Sequence, residues 1–129
     1  MESVVSNKVI TELKRLLTNA TTNRIGGIDR YETSLKIAKE IDYINPINKI
    51  YVAGGYGEVD ALSIAAKAGE EKQPIILMPK DNVDFNSYNW LKSKNLQNAY
   101  FIGGNAVLSD NIILKINEIT SNNVLSNRV

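Results

Sequence analysis

Neither cysteine nor histidine occurs in the 129 residues. The first absence removes disulfide staples and thiol nucleophiles. The second removes Ser-His triads, most zinc sites and imidazole acid–base chemistry. Asp, Glu, Lys and Tyr are the proton-transfer groups left, so no catalytic residue, metal or cofactor is predicted. A net charge of +1 provides no global field to draw in nucleic acid or a membrane, and neither is expected as a partner. No apolar run reaches the ~18 residues a membrane span needs. The opening Met1-Glu2-Ser3-Val4 lacks the pattern of a secretion signal. In a piece cut from a larger protein, that leaves the parent's location open.

What remains is an ordinary globular composition, 43% hydrophobic and 22% charged, at a length that buries one core. Short β-rich runs alternate with segments of helical period. Val5, Val9, Leu13 and Leu16 give the segment from Lys8 to Leu17 one apolar face. Asn23 to Gly27 reads as a brief extended piece. Asp29 with Glu32 forms a capping-box pattern ahead of a stripe of Tyr31, Leu35, Ala38 and Ile41. Lys49 to Ala53 is a predicted strand, followed by a helix from Glu58 to Gly69 that presents Val59, Leu62, Ala65 and Ala66 for packing on a sheet. Ile75 to Met78 is a continuous apolar run, typical of a parallel strand covered on both faces. A helix from Asn86 to Lys94, a strand from Ala99 to Ile102 and a helix opening at Asp110 follow, with Val124 to Arg128 as a final strand. Short connections between alternating strands and helices predict right-handed βαβ units. The fold class is therefore α/β, a three-layer Rossmann-like or Toprim-like domain with a mainly parallel sheet flanked by helices.

The two ends of the chain are copies of one passage. Val5-Ser6-Asn7-Lys8-Val9-Ile10, Leu13, Leu16 and Asn23-Arg24 reappear as Leu108-Ser109-Asp110-Asn111-Ile112-Ile113, Ile116, Ile119 and Asn127-Arg128. Ser6 aligns with Ser109 at an offset of 103, and Arg24 with Arg128 at 104, so one insertion separates the copies. This predicts one module of a tandem array whose period far exceeds that of a solenoid unit. Residues 1–22 are expected to be the closing helix of a preceding repeat or a swapped packing helix. Residues 23–123 form one repeat, and 124–129 begin the next.

Ligands of such folds are met at the carboxyl ends of the strands. Those ends carry Gly26-Gly27, Gly54-Gly55-Tyr56-Gly57, Pro79-Lys80-Asp81 and Gly103-Gly104-Asn105. Glycine pairs there bring backbone N–H groups near helix starts, although tight turns alone also require them. Arg30 and Lys80 are the cations best placed to converge on one anion. Tyr56 and Asn105 could add stacking or hydrogen bonds to a sugar. Gly55-Tyr56-Gly57-Glu58-Val59-Asp60 falls short of a dinucleotide fingerprint, because Asp60 stands where the third glycine belongs. Asp29 and Asp60 fit helix caps better than an acid–base pair. Trp90 fits the edge of the core better than a carbohydrate platform.

Arg24-Ile25-Gly26-Gly27-Ile28-Asp29-Arg30-Tyr31-Glu32-Thr33-Ser34 closely resembles the opening motif of the cell wall binding repeat 2 family. Asp60-Ala61-Leu62-Ser63, Pro74 to Lys80 and Phe101 to Ser109 resemble its later motifs, in family order, so the resemblance covers Arg24 to about Ile119. The chain departs at Ile76, where a leucine is usual, and at Glu58-Val59, where aromatic-proline is common. The resemblance implies non-covalent anchoring of an extracellular surface or S-layer-associated protein to an anionic secondary polysaccharide of the Gram-positive cell wall. Sister repeats would pack into a pseudo-trimer, with Ile75, Ile76 and Leu77 on the strand held to be important for the polymer. The alternative reading is a doubly wound enzyme or nucleotide-binding domain using the glycine-rich loops. A third is a purely structural module that binds only its sisters.

Overall fold

The computed structural model describes residues 5–121, so the strand expected from Val124 lies outside the described residues. Eight elements follow in the order α1 (Asn7–Leu16), α2 (Arg30–Ile44), β1 (Lys49–Gly54), α3 (Glu58–Glu71), β2 (Ile75–Met78), α4 (Phe85–Lys92), β3 (Asn98–Ile102) and α5 (Asp110–Asn117). The three strands are parallel in the order β2-β1-β3, with Tyr51 level with both Ile75 and Tyr100. Consecutive side chains of a strand point to opposite faces, which divides the sheet into two. One face presents Ile50, Val52, Ile76, Met78, Ala99 and Phe101, all fully buried. It is closed by Ala38 of α2, Leu91 of α4 and Ile112, Ile113 and Ile116 of α5. The other presents Tyr51, Ala53, Ile102 and the half-buried Ile75, Leu77 and Tyr100, packed with Ala61, Ile64 and Ala68 of α3. The result is the predicted α/β layering, with three helices on one face and α3 on the other.

The helix starts are set locally. Asp29 accepts the Glu32 backbone N–H at 2.8 Å, as the capping pattern predicts. The return bond lands one residue earlier than in a standard box, on the N–H of Ile28 at 2.7 Å from Glu32 Oε2. Asp84 caps α4 through the Ser87 N–H at 3.1 Å. Trp90 packs against the core while half-buried, at the core edge as expected.

Two expectations are corrected. The helix α3 is rotated relative to the predicted face: Val59 and Leu62 are 80% and 75% exposed, and Ala65 and Ala66 also face outward. Both faces of α3 carry small or apolar residues, so the period alone is ambiguous. The stripe of Ala61, Ile64 and Ala68 is the one that packs against the sheet. The strand β2 is covered on both faces as expected, Ile76 and Met78 fully and Ile75 and Leu77 partly, and it lies at an edge of the sheet. The Ser34 hydroxyl of α2 accepts the Leu77 N–H at 3.1 Å, which satisfies a donor of this edge. Finally, Asp60 is not a cap: Gly57 occupies that position with no side-chain bond, and Asp60 lies within the first turn.

Candidate functional site

The open end of the sheet is built from the β1–α3 loop, the β2–α4 connection, the β3–α5 loop and the start of α2. Arg30 Nη1 donates to the Gly55 carbonyl, and its guanidinium lies over the Tyr56 ring at 4.0 Å from the centroid. Tyr31 fills the space above Gly55, where an added Cβ would stand 2.6 Å from the Tyr31 hydroxyl. Burial, followed by the neighbouring Tyr56, raises the pKa of Tyr31. Arg30 and Tyr31 thus clamp the glycine loop from one side. Val107 presses on Gly54 and Gly57 from the other.

Gly103 is required by its conformation: φ is +102°, and an added Cβ would lie 2.8 Å from Asp60 Oδ2. The Asp60 carboxylate therefore points back toward the Gly103 turn, consistent with a loop-supporting role rather than a catalytic one. The end of β2 is tied to α5. Lys80 accepts the Ser109 backbone N–H at 2.8 Å, and the Asp81 carbonyl accepts Asn111 Nδ2 at 2.8 Å.

Between these loops lies a depression of 230 Å³ lined by Tyr31, Gly55, Tyr56, Lys80, Ala106 and Val107. Two of the predicted site residues, Tyr56 and Lys80, meet there, and Arg30 adjoins them through Tyr56. Asn105 is exposed on the same end but outside the lining. Ile76 is fully buried and has no surface to offer a ligand in this module. Ile75 and Leu77 are half-buried beneath α3, away from the depression. Tyr31 and Val107 were missed as lining residues. The helical period places Tyr31 on the inner stripe of α2, and its position beside Arg30 at a helix start is the signal for its place at the site.

Two tyrosines beside lysine and arginine suit a sugar with an anionic substituent, since aromatic rings offer apolar faces and the cations meet the charge. A second notch of 220 Å³ gathers Arg24, Lys36 and Lys39 with Glu40. Among the described residues, no cluster of three His, Cys, Asp or Glu could hold a metal, and no helix is long and apolar enough to cross a membrane.

Comparison with known proteins places this geometry in context. Residues 24–113 match the family described as Cell wall binding domain 2. The solved structure of Cwp6 from Clostridium difficile superposes with a TM-score of 0.91 at 52% identity, over 97% of this chain and 20% of that one. Cwp8 from the same organism gives 0.79 at 35% identity, over 96% of this chain and 20% of that one. N-acetylmuramoyl-L-alanine amidase LytC of Bacillus subtilis is 26% identical over 103 residues, 80% of this chain and 20% of the amidase. The chain spans one fifth of the length of each of these relatives. With the family matched over most of its length and its fold shared with Cwp6, the chain belongs to the Cell wall binding domain 2 family.

Proposed function

We propose that this chain is one module of a tandem array that holds its parent protein non-covalently on an anionic polysaccharide of the Gram-positive cell wall. The supporting observation is the depression at the strand ends, where Tyr31, Tyr56 and Lys80 gather in a member of a wall-binding family. Sugar rings pack on the tyrosine faces, and Lys80 meets the charge of the polymer. Arg30 acts mainly by holding the loop, because its guanidinium already serves the Gly55 carbonyl and the Tyr56 ring. Sister modules of the same polypeptide grip the same polymer and pack against one another. Any enzymatic activity of the parent resides in the part of the polypeptide outside this module, as the one-fifth coverage of the amidase relative allows.

The test is sedimentation of a chain carrying three such modules with purified cell walls. Lys80→Glu in every module should lower the bound fraction severalfold, since each lost contact of about 0.5–1 kcal/mol is about a 2- to 5-fold change. Melting temperature should stay the same, because Lys80 is exposed. Arg30→Glu should lower both. A three-module chain that pellets no better than an unrelated protein would remove the anchoring reading.

A further inference from the structure

The helix α1 is amphipathic and capped, yet none of its residues is buried. Its apolar stripe can be compared, position by position, with the other copy of the duplicated passage. Val5, Val9, Leu13 and Leu16 are 43%, 47%, 42% and 67% exposed, whereas their counterparts Leu108, Ile112 and Ile116 are wholly buried and Ile119 packs against the core. Ile10 is half-buried, and its counterpart Ile113 belongs to the core cluster. The N-cap serine recurs at Ser6 and Ser109. The same pattern of shapes is thus satisfied in one copy and unsatisfied in the other.

The seat that suits α1 is the sheet face formed by residues such as Ala99 and Phe101, and in this module α5 occupies it. What α1 finds instead is loose: an Arg24–Asn7 hydrogen bond of 3.3 Å and an open groove of 660 Å³ against residues 21–25. We infer that α1 is the closing helix of a second module of this fold, the one that precedes it in the polypeptide, and that it lies on that module's sheet where α5 lies here. The inference rests on the tandem reading but not on polysaccharide binding. Lys14 takes the place of the buried Asn117 and reaches the rim of the seat with its long stem. The polypeptide then crosses from one module to the next at about residues 17–23, and the open groove beside α1 is the cleft between two modules.

The decisive protein is a two-module chain in which residues 23–107 are placed directly before residue 5, leaving α1 as the sole closing helix of the upstream copy. Amide exchange in α1 should slow at least tenfold relative to the 129-residue chain. Leu13→Asp should unfold the upstream module while the downstream one keeps its melting transition. A complementary variant replaces residues 109–120 with 6–17 in the single chain. It should still melt cooperatively, and the same graft carrying Ile10→Asp should not. Unchanged α1 exchange in the two-module chain overturns the inference. So does self-association or vesicle binding through α1 in that chain. Wall sedimentation of the same proteins is a separate readout, so loss of polymer binding with α1 protected would strike the proposed function alone.

Discussion

The glycines of the strand-end loops differ in what they must do. Gly103 combines a φ of +102° with a carboxylate oxygen in the space a methyl group would need, whereas nothing lies within 4 Å of a Cβ added at Gly104. Gly103→Ala should therefore cost about 1–3 kcal/mol, while Gly104→Ala should change stability by less than about 0.5 kcal/mol. Chemical denaturation of the two variants decides between them. The sequence marked the pair as a turn but could not rank its members, because the rank depends on Asp60, some forty residues distant.

Titration belongs at this scale too. Hydrogen bonds from Lys49 and Tyr51 hold Glu71 below the usual carboxylate range. Burial raises Asp42, but bonds from Lys94 and the Ile47 N–H outweigh it and leave that group lowered as well. A lowered pKa contributes stability that is present above the unfolded value and lost as pH falls through the folded one. The melting temperature should therefore hold from neutrality down to about pH 4.5 and fall below it. Glu71→Gln should flatten part of that fall, as thermal melts across the range would show. The Tyr51 hydroxyl, raised by burial and by its bond to Glu71, has the opposite sign and destabilises the fold only in strong alkali, above about pH 10.

Among the elements, α1 and α5 make a matched pair with opposite surroundings. Ile116→Ala should cost about 2–5 kcal/mol, as for a fully buried side chain, and Leu13→Ala in the single chain should stay within about 0.5 kcal/mol. Paired denaturation curves measure the difference directly. Helix starts were legible in part: Asp29 with Glu32 marks α2 and Asp110 opens α5, whereas the Asp84 cap places the start of α4 one residue before the expected Asn86. The rotation of α3 was not. Val59, Leu62, Ala65 and Ala66 form as credible a stripe as Ala61, Ile64 and Ala68, and only the sheet it meets chooses between them. The outward stripe leaves Val59 and Leu62 exposed in the first two turns of α3.

For the whole molecule, the alternation of strands and helices was enough to give the parallel sheet and its layers. Strand order was not readable, so nothing in the sequence placed β2 at an edge of the sheet. Of the residues lining the depression, Tyr56 and Lys80 were among the candidates the sequence offered. The strand residues Ile75, Ile76 and Leu77 were named by resemblance, and burial within the module sets them apart from the depression. On the proposed function, a near-neutral module with only shallow depressions should grip a polymer weakly, and the hold would come from number. Going from one to three linked modules should raise wall affinity by about 100-fold or more through effective concentration alone. Sedimentation isotherms of one-, two- and three-module chains would register a far smaller gain if the sites could not engage together.

The bond from the Ser109 N–H to the Lys80 carbonyl links the rim of the depression to the helix that ends the module. A surface protein tugged from outside would transmit that load along its own polypeptide into α5. Peeling α5 outward would slacken the lysine's loop before the sheet itself gave way. Release under tension would then begin at the very strap that keeps Lys80 in place, making the hold strongest along pulls that leave this strap unloaded.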